Sequence, residues 1–118
     1  MPARIVSTDD VLNEAMPGRD PARVRAKIGI ERRHWISGDE SAASLATAAV
    51  QRALDRASID AKQLRRLIFI DSTGGDQSIP PTSNAIAAAL GVHETCGCMD
   101  LNNACVGFLT GFDLAARL

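Results

Sequence analysis

The sequence predicts an α/β protein in which helices are layered on a sheet. Segments of helical periodicity alternate with two short apolar runs, in the order helix, strand, helix, strand, helix after a short helical opening. Gly, Pro, Asp and Asn punctuate the boundaries between them. The apolar residues are mainly Ala, Leu, Ile and Val, with one Trp, three Phe and no Tyr. Such small aliphatic side chains pack helices closely against one another or a sheet, and they supply few platforms on which nucleobases stack.

Thr8 is placed to cap a short helix from Asp9 to about Ala15, with Asp9 and Asp10 at its positive end. Met16-Pro17-Gly18 ends it. Asp20-Pro21 is a cap followed by proline at the first helical position, and Gly29 closes this second helix near Ile28. Residues 30–38 read as an irregular or extended link. The clearest helix runs from about Asp39 to Ala57, where Ala46, Ala49, Val50, Ala53, Leu54 and Ala57 recur at three- and four-residue steps. Residues 58–62 form a turn. Leu67-Ile68-Phe69-Ile70 is continuous and apolar, which predicts a strand buried on both faces, as in a parallel sheet. A loop over 71–76 and Pro80-Pro81 precede an alanine-rich helix from about Thr82 to Leu90, stopped by Gly91. Residues 95–102 are the second strand and 102–105 the turn out of it. Residues 106–118 are helical again, with Phe108, Phe112 and Ala115 on one stripe.

A chain of 118 residues is one domain or part of one. Its 13 Lys+Arg against 14 Asp+Glu give a net charge of -1, no sign of the global basic surface of a nucleic-acid partner. Hydrophobic residues at 46% and charged residues at 23% match a globular protein and argue against disorder. No apolar run approaches the ~20 residues of a membrane span, and Met1 to Ile5 lack the build of a signal peptide. Three cysteines without an export signal suggest free thiols in a reducing cytoplasm.

Cys105 stands between a strand and the first turn of a helix. Unpaired N–H groups at such a place favour negative charge, hence the nucleophilic thiolate, and can hold an oxyanion formed by attack on a thioester carbonyl. Gly107 leaves space beside the sulfur. The alternative is a buried structural cysteine. His93, Cys96, Cys98 and Cys105 offer four zinc ligands, though not at the spacing of a knuckle or ribbon; residues 96 and 98 of a strand share a face, which also suits two small core residues. Arg19, Arg23, Arg25, Lys27, Arg32 and Arg33 form a basic cluster, either a site for phosphates or a solvated helix face. His34 and His93 are bases in principle and surface residues by default. Ser72 and Thr73 lack an evident local base.

Asp100-Leu101-Asn102-Asn103-Ala104-Cys105-Val106-Gly107-Phe108-Leu109 resembles the active-cysteine segment of ketoacyl-ACP synthase III and its thiolase-fold relatives. Gly29-Ile30-Glu31-Arg32-Arg33 is similar to the family's glycine-isoleucine-basic segment. Glu40, then Leu45-Ala46 through Ala53-Leu54 to Ile59-Asp60, resembles its first long helix. Leu67 to Thr73, with Pro80 and Leu90-Gly91, resembles the next strand, loop and helix. The segments occur in the family's order and at about its spacing, and together they cover nearly all of the chain.

The resemblance implies part of the N-terminal half of a thiolase-like fold, a layered α-β-α arrangement, over residues 1–118. It implies that Cys105 takes an acyl group from acyl-CoA as a thioester, with its own and Gly107 backbone N–H groups as oxyanion support. A decarboxylated malonyl-ACP then attacks the acyl-enzyme and gives a 3-oxoacyl product. CoA is a substrate here, and no cofactor or metal is implied. Lys27 falls where the family often has an arginine near the CoA nucleotide, and Arg23 near an aromatic that packs on adenine. Ile79 falls where head-to-head condensing relatives carry a glutamate base and where decarboxylative members carry an apolar residue contacting the neighbour's acyl pocket. A homodimer is implied for the intact family protein. Pro2 matches the proline after the family's first strand, and the assisting histidine and asparagine belong to the second half, so the chain is expected to be truncated at both ends and inactive alone. Three other readings remain: a secondary-metabolism or head-to-head condensing relative, a non-catalytic remnant pairing with a full-length homologue through the 95–102 strand, and a small zinc module.

Overall fold

Ile5 and Val6 are β-branched and favour extended backbone, and they begin the first ladder. Strand β1 (Arg4–Ser7) pairs antiparallel with β2 (Arg32–Trp35), Arg4 opposite Trp35 and Ser7 opposite Arg32. The opening strand was not expected from the sequence, and the extended part of 30–38 proves to be its partner. Neither strand has a buried residue along it, so the apolar signal that marks a strand is missing from both.

Helix α1 (Thr8–Ala15) is capped by Ser7 and not by the expected Thr8. Ser7 Oγ accepts from Asp10 N at 3.0 Å, and the Asp10 carboxylate accepts from Ser7 N at 3.3 Å. This pairing also holds the Asp10 carboxyl below its ordinary range, chiefly through the Ser7 hydroxyl. Thr8 is only 2% exposed. Its hydroxyl donates to Ile30 O and accepts from Arg33 Nη2 at 3.0 Å, tying the helix to the approach to β2. Helix α2 (Pro21–Ile28) follows the sequence pattern: Asp20 Oδ1 accepts from Ala22 N at 3.0 Å, and Gly29 ends the helix at φ 69°.

The structure, a computed structural model, describes all 118 residues. They divide into two units, Met1–Glu40 and Ser41–Leu118. The first holds the elements above. In the second, helix α3 (Ala42–Ala57) starts three residues after the expected Asp39, because Ser41 is its cap. Ser41 Oγ accepts from Ser44 N at 3.0 Å, and the Asp76 carboxylate accepts from Ala42 N and Ala43 N at 2.7 Å each. After a single 3-10 turn at Ala61–Gln63 comes β3 (Arg66–Asp71), then α4 (Thr82–Ala89), β4 (Gly97–Asn102) and α5 (Gly107–Arg117).

β3 and β4 run parallel, Arg66 opposite Gly97 and Asp71 opposite Asn102, and each has one unpaired edge. Alternation along β3 assigns its two faces. Leu67 and Phe69 join Ile86, Ala87 and Val92 in the core under α3 and α4. Ile68 and Ile70 lie under α5. The second unit is therefore layered helix, sheet, helix. The expected burial of β3 on both faces holds only in part: Leu67 is buried, and the residues that follow are half-buried. The half-buried residues fall on both faces, Ile68 and Ile70 on the side of α5 and Phe69 on the side of α3 and α4. No helix is long and apolar enough to cross a membrane.

Candidate active site

Strand β4 delivers the chain to the base of α5 through one short turn. Asn103 stands at φ -144°, ψ 44°; Ala104 to Val106 make a 3-10 turn; and α5 begins at Gly107. Ala104 has φ 40°, in the left-handed region that residues bearing a Cβ seldom occupy. Cys105 therefore follows a strained residue. It is a free thiol, and it is exposed where Cys96 is buried. Val106 N donates to Asn103 O at 3.1 Å and Gly107 N donates to Ala104 O, whereas the Cys105 N–H is left without a partner in the chain. The Gly107 N–H is thus already engaged inside the turn.

Gly107 does not open space beside the sulfur as its position suggested. A methyl there would lie 2.8 Å from Ile70 Cγ2, and one at Gly111 would lie 2.3 Å from Ile70 Cδ1. The two glycines let α5 descend onto β3. Two further hydrogen bonds frame the turn. Asn103 Nδ2 donates to Thr110 Oγ1 at 2.8 Å, and Thr110 Oγ1 donates to Val106 O at 3.1 Å.

The second strand is anchored upstream of the cysteine by Asp100. Its carboxylate accepts from Thr82 N at 2.7 Å and Ser83 N at 2.9 Å. Helix α4 has Pro81 at its cap position and no side-chain cap of its own, so β4 supplies the missing acceptor. Asp76, besides capping α3, donates its backbone N–H to Thr82 Oγ1 at 3.3 Å. Asp71 turns back on Thr73 N and Gly74 N, and the Gly74 amide above all holds its carboxyl below the ordinary carboxylate range. Ile79 sits between these anchors and is 88% exposed.

Cys96 and Cys98 pack into or against the core around Leu67. Burial, with the neighbouring Cys96 second, pushes the Cys98 thiol up. No three His, Cys, Asp or Glu side chains converge on a point that could hold a metal ion.

The basic cluster of the first unit is divided. Arg19, Arg23 and Lys27 line one groove with Gly18, Asp20 and Val24. Arg25 turns away to pair with Asp9, which raises its already high pKa, and Arg33 is tied to Thr8. Arg23 and Lys27 are thus brought together, with Arg19 as a third cation. His34 is exposed with Nδ1 2.7 Å from Pro2 O, and His93 is exposed.

Comparison with known proteins bears on this arrangement. No family model matches the chain. All 118 residues align at 36% identity with beta-ketoacyl-acyl-carrier-protein synthase III of Oenococcus oeni, covering 35% of that protein. The crystal structure of 3-oxoacyl-(acyl-carrier protein) synthase from Burkholderia xenovorans superposes at a TM-score of 0.84 with 26% identity, over 99% of this chain and 33% of that one. The chain is ketoacyl synthase III-like, with the corresponding part of a thiolase-like fold. It is also 37% identical over 107 residues to acetoacetyl CoA synthase of a Streptomyces species, 91% of this chain and 31% of that protein. A variant of OleA from Xanthomonas campestris superposes at 0.81 with 26% identity, over 98% of this chain and 35% of that one. This ketoacyl synthase III-like chain therefore spans about a third of the length of the relatives it matches.

Sequence reasoning singled out the cysteine of this ketoacyl synthase III-like chain but passed over the groups that hold it. Asp100 and Asn103 lie within the segment that carried the resemblance, and Thr110 follows it directly. One signal was available: a helix opening on Pro81 has no side-chain acceptor at its cap and must find one elsewhere.

Proposed function

We propose that the intact polypeptide carrying this chain is a condensing acyltransferase of the ketoacyl synthase III type, with Cys105 as its nucleophile. The observation that carries this reading is the free, exposed thiol on a strained turn between a parallel strand and a helix. The similarity to synthases over the whole chain supports it. The thiolate attacks the carbonyl of an acyl-CoA, the C–S bond to CoA breaks, and the CoA thiolate leaves and takes a proton. The acyl group then rests on Cys105 Sγ. The unpartnered Cys105 N–H is a donor for the oxyanion formed on the way; Gly107 contributes through the path of the helix, since its own N–H is used. A malonyl-ACP loses carbon dioxide, and the carbanion so formed attacks the acyl-enzyme. The C–S bond to Cys105 breaks and a 3-oxoacyl-ACP is released. Lys27 and Arg23, with Arg19 beside them, are suited to a CoA phosphate through paired cationic donors.

A second reading is favoured by the likeness to acetoacetyl CoA synthase and to OleA: a relative that condenses acyl groups on CoA. Ile79 limits this alternative to decarboxylative chemistry or to a base from elsewhere, because a saturated hydrocarbon side chain removes no proton. In either case the expected setting is a homodimer in the cytoplasm.

Isotopically labelled acyl-CoA offered to the intact polypeptide should modify the Cys105 peptide, seen by peptide mass spectrometry, and Cys105→Ser should abolish the label. Dependence of product on malonyl-ACP or malonyl-CoA separates the two condensing readings. An unlabelled Cys105 with every acyl-CoA offered refutes both and leaves a non-catalytic pairing module.

A further inference from the structure

We propose that Asn103 and Thr110 are a positioning pair that holds the Cys105 turn in its strained form and so aims the sulfur. This deepens the acyl-transfer reading and rests on it for its consequence in catalysis, though not for the geometry itself.

Ala104 at φ 40° gains nothing from its own side chain for adopting that conformation. Something outside it must hold the turn, since such residues persist only where their surroundings over-determine them. The turn has two ends. At one end Asn103 sits outside regular structure, and its side chain is free to reach. At the other, Thr110 lies in the first full turn of α5 with its hydroxyl back-bonded to Val106 O at 3.1 Å. That bond uses the hydroxyl proton and leaves a lone pair. Asn103 Nδ2 donates to this oxygen at 2.8 Å. The result is a closed loop of bonds: Asn103 side chain to Thr110, Thr110 to Val106 O, and Val106 N to Asn103 O at 3.1 Å. Cys105 lies inside that loop and makes none of its bonds.

Both members are needed and in a fixed chemical sense. A valine at 110 has the shape of threonine without the oxygen, so Asn103 loses its acceptor and Val106 O its donor. A serine keeps the oxygen. An alanine at 103 removes the donor while leaving Thr110 back-bonded. The α5 helix is anchored on β3 independently, by the descent of Gly107 and Gly111 onto Ile70. Loss of the pair should therefore free the turn without releasing the helix.

The test compares Asn103→Ala, Thr110→Val, the double variant and Thr110→Ser by alkylation with iodoacetamide and peptide mapping. Cys96 and Cys98 act as internal references, being buried and half-buried; their protection reports whether the fold survives. The expected result is that each single variant changes the Cys105 alkylation rate several-fold. The double variant should match Thr110→Val, since with Thr110 gone Asn103 has no acceptor left to lose, Thr110→Ser should follow the parent, and Cys96 should stay protected. In the intact polypeptide, acyl transfer should lose on the order of 10- to 100-fold in kcat at a KM for acyl-CoA that is unchanged. Parental Cys105 alkylation in both singles, or additive effects in the double, overturns the pair. Failure of acyl-CoA to label the parent Cys105 overturns the acyl-transfer reading alone, because the alkylation comparison still decides whether the pair positions the thiol.

Discussion

Ile70 is the residue on which the last helix rests. Its Cγ2 and Cδ1 fill the spaces that a side chain at Gly107 or Gly111 would take. Gly111→Ala is expected to destabilise the fold by about 1–2 kcal/mol, since overpacking of a fitted contact costs more than the ~1 kcal/mol that alanine gains over glycine in a helix. Ile70→Val removes Cδ1, the atom in the way, so the same glycine substitution in that background should cost nearly nothing. Urea melts of the four proteins check this through the coupling term. An equal cost in both backgrounds rules out Ile70 as the obstacle. The place of Cys105 between a strand and a helix was legible in the sequence from the residues that bound the two elements. The function of Gly107 was not, since the partner that demands a glycine there lies on another strand, over thirty residues earlier.

Among the elements, α4 depends most on a distant residue. Pro81 fixes its entry but offers no acceptor, and Asp100 of β4 satisfies Thr82 N and Ser83 N together. Asp100→Ala should lower stability by about 1–2 kcal/mol through the lost cap, and Asp100→Asn by less. Hydrogen exchange should show faster loss of protection at the first turn of α4 than at α3, whose cap of Ser41 and Asp76 is untouched. Unchanged exchange at Thr82 and Ser83 contradicts the assignment. The clearest helix was readable because its apolar residues repeat with the helical period, and β3 because its apolar run is continuous. The β1–β2 ladder was hidden because polar residues dominate it, among them Arg4, Arg32, Arg33 and His34, and no buried stripe runs along it. The opening helix was found but its cap misplaced by one residue. Ser and Thr are both good caps, and only the buried tie of Thr8 to Ile30 O separates their tasks.

For the whole molecule, the second unit leaves an apolar surface. Phe108, Leu109 and Phe112 of α5 are 70%, 67% and 68% exposed, and the two phenyl rings stack with centroids 6.2 Å apart. A groove runs beside them over Ile68, Ile70, Gly111 and Ala115. Exposed patches of this kind, next to an unpaired strand edge, promote association. The isolated chain is therefore expected to elute from size exclusion as larger species whose share rises with concentration. Phe108→Glu with Phe112→Glu should shift it toward monomer without altering the circular dichroism. A monomer at all concentrations for the parent chain runs against this. The α/β class was legible at this scale from the alternation of helical segments and apolar runs, and the α-β-α layering from the family resemblance, whereas the incomplete cover over the sheet was not, because an exposed phenylalanine stripe and a buried one look alike in a sequence. Finally, the segment from Asp76 to Thr82 is staked at both ends, to α3 by one aspartate and to β4 by another. Its interior, with Ile79 at large in solvent, touches neither stake, so substitutions there are expected to leave the cysteine-bearing turn at its station, whatever they do to the chemistry.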